Sequence, residues 1–112
     1  MDERDQQLIA LLDKIISQLS QPLTPDEQQY RWTDEAKRAW IGVMQKFLDK
    51  LNTGQAKENM EEEINLTYGL AYEGKEHGPL AEMITEFDIQ WNMKYSREKR
   101  KWWYHRKKKE FK

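Results

Sequence analysis

The sequence predicts an all-α fold: a small four-helix, bundle-like domain with a long basic C-terminal helix. Three observations predict it. Leu, Lys, Glu and Gln are abundant, while the 112 residues include one Val and five Thr, a balance that favours helix over strand. Apolar residues recur at steps of three and four through four separate stretches. Between the stretches stand turn and cap residues: Pro22, Pro25, Thr33, Gly54 and the Gly78-Pro79 pair.

The first stretch covers about 2–20. Leu8, Leu12, Ile15 and Leu19 form one stripe, widened by Ile9 and Ile16. Its polar face carries acids and glutamines rather than Lys and Arg, which argues for a core-facing bundle helix and against a membrane-surface one. Pro22 and Pro25 end it, and Thr24-Pro25-Asp26-Glu27 has the form of a capping box with Pro at the first helical position, opening a short turn of helix over 25–30.

Thr33 caps the second long stretch, with Asp34 and Glu35 in the first turn, where the helix dipole favours acids. Ala36, Trp40, Val43, Phe47 and Leu51 form its stripe, widened by Ala39, Met44 and Leu48, and Gly54 is suited to the left-handed stop. The third stretch, about 55–72, keeps helical spacing through Met60, Ile64, Tyr68 and Ala71, and Gly69 weakens it. Residues 73–79 read as a loop. A fourth helix starts at Gly78-Pro79 and places Leu80, Ile84, Phe87, Trp91 and Tyr95 on one face. Its pattern runs toward Lys109, but Glu98 breaks the stripe, so 80–95 is expected to pack and the rest to project.

One domain is expected over 1–112, since a second core would have too few residues to bury. It divides into an acidic body, 1–95, and a projecting basic, aromatic end, 96–112. No apolar run approaches the length of a membrane span, and the acidic start MDERDQQ opens no signal peptide, so a cytoplasmic protein is expected. With no cysteine there is no disulfide framework, thiolate metal site or cysteine nucleophile.

The net charge of −1 conceals a segregated molecule. Residues 1–93 hold 18 acids and 9 bases, a net of −9, and residues 94–112 hold 2 acids and 10 bases, a net of +8. Lys94, Arg97, Lys99, Arg100, Lys101, Arg106, Lys107, Lys108 and Lys109 are interleaved with Trp102, Trp103 and Tyr104. Cations attract phosphates with release of counterions, and flat rings stack on bases, so this set suits single-stranded or irregular nucleic acid. No base-reading motif accompanies it. Competing occupants are an acidic protein surface and, with less support because the apolar face is narrow, anionic lipid. The plainest alternative is a solvated helix end that serves solubility.

The acidic body supports a second reading. Glu58, Glu61, Glu62, Glu63, Glu73 and Glu76, with Asp2, Glu3, Asp5, Glu82, Glu86 and Asp88, could present a negative face to a basic groove, as small inhibitors and immunity-type proteins do. A third is a charge-complementary homo-oligomer, the basic end of one copy on the body of the next.

Catalytic patterns are weak. Residues 69–75 match all but the last position of a phosphate-binding loop, which ends at Glu76 where a hydroxyl is required, and a helical pattern precedes the motif instead of a strand. His77 and His105 belong to no zinc or di-iron motif. Glu58, Glu61 and Glu62 share a helical face that could hold a hard cation, but no matching acid pair follows over 80–88. The expectation is a non-enzymatic interaction protein with no cofactor and no metal site.

Overall fold

The computed structural model describes residues 3–58, Leu66 and residues 69–95; the basic end, 96–112, lies outside them. Helices α1 (Glu3–Ser20), α2 (Pro25–Gln29), α3 (Asp34–Thr53), α4 (Gln55–Glu58) and α5 (Pro79–Tyr95), with a π-helical turn at Gly69–Gly74, make up the regular structure, and no strand occurs among the described residues. The all-α expectation therefore holds. Of the third expected helix, Met60, Ile64 and Tyr68 lie outside the described residues, and Ala71 falls in the π-turn. Glycines bracket that turn at 69 and 74.

α1 is the central element, packing against both α3 and α5. It buries the expected stripe, Leu8, Leu12, Ile15 and Leu19, and also Asp5. Fully burying one such aliphatic side chain stabilises the fold by about 1.5–3 kcal/mol. α5 buries all five expected residues, Leu80, Ile84, Phe87, Trp91 and Tyr95, together with Ala81, Asp88 and Asn92. Between α3 and α5 the rings interlock: Phe47 meets Trp91 edge-on at 4.9 Å and Phe87 at 5.3 Å, and Trp91 meets Tyr95 at 4.9 Å.

The caps form as their residues dictate. Thr24 Oγ1 accepts from the Glu27 N–H at 3.1 Å, and Glu27 Oε1 accepts from the Thr24 N–H at 2.9 Å, completing the box ahead of α2. Thr33 Oγ1 accepts from the Ala36 N–H at 3.0 Å, and Gly54 closes α3 at φ 80°.

α3 departs from its expected stripe. Its buried residues are Lys37, Met44, Phe47 and Leu51, while Ala36, Trp40 and Val43 are half-buried. The inward face is turned because Lys37 goes inside to meet Glu27, which also sits inside. Lys37 Nζ donates to Glu27 Oε1 at 2.9 Å, to Glu27 Oε2 at 3.2 Å and to the Gln21 carbonyl at 2.8 Å, so the ammonium is matched by three acceptors. Burial pushes the Glu27 carboxyl up, but hydrogen bonds from the Thr24 backbone, Lys37 and Gln18 outweigh it and hold the group below its ordinary value.

Two loops, 30–32 and 75–78, are clipped together. The Trp32 indole is buried and its Nε1–H donates to the His77 carbonyl at 3.0 Å; the His77 N–H donates to the Tyr30 carbonyl at 3.0 Å. The Tyr30 and His77 rings meet edge-on at 5.0 Å. Gly78, at φ 88°, lies under the Tyr30 ring, and a Cβ there would stand 2.5 Å from ring carbons. Both the backbone conformation and the space at position 78 demand glycine.

Candidate functional site

Of the predicted anion-binding set, Lys94 alone lies among the described residues. It sits in the last turn of α5, where it forms an ion pair with Asp5 in the first turn of α1. The Tyr95 hydroxyl donates to the same Asp5 oxygen. Burial pushes the Tyr95 hydroxyl up to about 12, and the bond to Asp5 adds to the shift while Lys94 opposes it. Lys94 and Tyr95 thus belong to a clasp that fastens the start of α1 to the end of α5. Arg97, Lys99, Arg100, Lys101, Trp102, Trp103, Tyr104, Arg106, Lys107, Lys108 and Lys109 lie outside the described residues.

The acidic set divides as well. Glu61, Glu62 and Glu63 lie outside the described residues; Glu58 ends α4 and Glu73 lies in the π-turn. Glu76 does not present itself on an outer face: it is 9% exposed. Asp5 and Asp88, counted with the same negative face, are also buried. Each has a reason to be inside: Asp5 meets Lys94 and Tyr95, and Asp88 Oδ1 accepts from Asn92 at 2.9 Å and from the Leu66 N–H at 3.4 Å.

Glu76 differs from these two. Its Oε2 is buried with no hydrogen-bond partner, the one such side-chain atom among the described residues. The carboxylate lies against the backbone of Gly74, where a Cβ would stand 2.1 Å from its oxygens. Lys75, at φ 59°, turns the chain between the two. Glu76 also lines a cavity of about 570 Å³ between the π-turn, the 75–78 loop and the first two turns of α5. The buried side chains of Leu70 and Ala81 contribute apolar lining, and Glu82 and Glu86, exposed and one helical turn apart, contribute acid. Three carboxylates against the single ammonium of Lys75 make the lining net negative.

Sequence reasoning placed Glu76 with Glu82 and Glu86 on an outward negative face and missed its burial and the cavity that the three line. The phosphate-loop likeness over 69–76 ends here: the segment is a π-helical turn followed by an inward carboxylate, the wrong charge for a phosphate. Among the described residues no cluster of His, Asp and Glu could hold a metal ion, and no helix is long and apolar enough to cross a membrane.

Comparison with protein-family models, with curated proteins and with solved structures yields no match. Fold and sequence together define a class: a small all-α domain whose charge is sorted along the chain.

Proposed function

We propose that the chain is a non-enzymatic helical binding protein whose basic, aromatic C-terminal segment engages a polyanion, nucleic acid first among them. One observation carries the reading: the sorting of charge along the chain. With Lys94 and Tyr95 assigned to the clasp, residues 96–112 still hold nine bases against two acids, a net of +7, interleaved with Trp102, Trp103, Tyr104 and Phe111. Phosphate attraction scales with that charge, and stacking on the rings favours unpaired bases.

Titration of labelled single-stranded RNA and DNA into the protein at two salt concentrations tests this. Affinity is expected to fall with salt, by about 0.7 logarithmic units per tenfold rise in salt for each phosphate engaged. The triple variant K99Q/R100Q/K101Q is expected to bind more weakly and with a shallower slope. Replacing Trp102 and Trp103 by Ala is expected to weaken single strands more than duplex. Absence of binding at about 50 mM salt, or affinity indifferent to salt, rejects the reading.

A second reading has the acidic body docking on a basic protein groove, with the exposed pair Glu82 and Glu86 in the contact. A defined basic protein partner that is bound equally by wild type and by E82K/E86K rejects it.

A further inference from the structure

We propose that the cavity between the π-turn and α5 is a binding site for an organic cation, a guanidinium or ammonium group on a short aliphatic stem, with Glu76 as its counter-ion. The inference depends on neither functional reading above.

Four observations converge on it. Glu76 is more than nine-tenths buried, and one of its carboxylate oxygens has no donor. Buried polar atoms are almost always hydrogen-bonded, and an unpartnered carboxylate oxygen is among the costlier exceptions. The other buried carboxylates have partners: Asp5 and Glu27 each meet an ammonium, from Lys94 and Lys37, and Asp88 accepts from Asn92 and the Leu66 N–H, whereas Glu76 Oε2 has no donor. Lys75, the neighbouring cation, is exposed and makes no ion pair with it.

The cavity that Glu76 lines has the volume of a small-molecule site, which usually falls at about 300–1,000 Å³. Its composition fits one class of ligand. Glu82 and Glu86 extend the negative charge outward from Glu76 and would draw a cation in. Leu70 and Ala81 offer apolar surface to a methylene stem. A planar guanidinium suits this setting best, since its fork of N–H groups matches a carboxylate and it is weakly hydrated.

Gly74 holds the counter-ion in place. With no Cβ at 74 the carboxylate rests against the backbone, and any side chain there would displace it. The obstacle would be the far end of the flexible Glu76 side chain, and Gly74 does not have a positive φ, so G74A is expected to fold and to move the carboxylate.

The test titrates the full chain with agmatine, with a capped tripeptide bearing a central arginine, and with n-butylurea as the neutral analogue of the cationic head. Calorimetry reads affinity, and amide chemical shifts at Leu70, Ala81 and Thr85 locate the ligand. Saturable, cavity-localised binding of agmatine, the tripeptide or both is expected, with n-butylurea bound at least about tenfold more weakly, the scale of a charge-assisted hydrogen bond. Agmatine binding alone points to a free amine or guanidine, and tripeptide binding alone to a side chain of a protein. E76Q and G74A are each expected to lose about tenfold or more. The surface variant E82Q/E86Q, which leaves the core untouched, is expected to lose several-fold and to show reduced salt dependence. No saturable binding by either cation overturns the proposal. So does equal binding of n-butylurea, or affinity unchanged in both G74A and E82Q/E86Q.

Discussion

Lys37→Met isolates the cost of an inward charge. The thioether keeps the length of the lysine stem, so the buried volume changes little, and the ammonium is lost. The structure shows what is stranded. Glu27 keeps the Thr24 N–H at 2.9 Å and a long contact from Gln18 at 3.4 Å, but loses the Lys37 ammonium, and the Gln21 carbonyl loses a donor at 2.8 Å. Removing one partner of a buried pair typically costs about 3–5 kcal/mol, because the other charge remains buried. The whole domain should hold about 5–15 kcal/mol, so the variant folds but with a much lower urea midpoint. Burial is the largest influence on Glu27 and pushes it up, so without Lys37 the group should protonate more readily and the deficit should shrink as pH falls. The double variant K37M/E27Q keeps the oxygen that accepts from Thr24 and removes the stranded charge; it should recover more than half of the loss. Urea unfolding of wild type, both singles and the double, followed by tryptophan fluorescence at pH 7 and pH 4.5, closes the cycle. A loss below about 1 kcal/mol for K37M would place the pair among ordinary surface bridges and refute the reasoning.

Ile84→Ala removes a fully buried side chain and should cost about 2–5 kcal/mol, read as a fall in urea midpoint at unchanged slope. Gly78→Ala meets both a positive φ and the Tyr30 ring; it should destabilise by more than about 1 kcal/mol, and G78A/Y30A should be less than additive. Tyr95 is raised from an ordinary 10.0 to about 12, so it contributes stability that is present below pH 10 and is lost as pH rises toward 12. Tyr95→Phe should accordingly lose less stability than wild type between pH 10 and 12, although it starts lower at pH 7, and thermal unfolding at stepped alkaline pH measures both.

The apolar stripes of α1 and α5 were legible because every third or fourth residue is aliphatic or aromatic, and periodicity needs nothing else. The capping box at Thr24 was legible because it is local in sequence. The buried polar residues were hidden by the same rule that reveals helices. Lys37, Asp5, Asp88 and Asn92 read as solvent-facing letters, and only partners 4 to 90 positions away make their burial affordable. Trp32 fell in a turn, outside any stripe, and its indole is fixed by the His77 carbonyl 45 positions on. Glu76 was legible as a charge and illegible as a buried one, since its direction follows from the left-handed turn at Lys75 and the bare backbone of Gly74. The segregation of charge along the chain was visible at once, as it is a sum over letters and needs no geometry.

The clasp of Asp5 with Lys94 and Tyr95 also has a mechanical meaning. A pull on the chain at Tyr95 reaches the last turn of α5. There it meets an ion pair and a hydroxyl bond anchored on the opposite end of the sequence, so the load passes sideways into α1 before it can peel α5 from the aromatic rings behind it. A tether that tugs at Tyr95 therefore has a rivet to shear first.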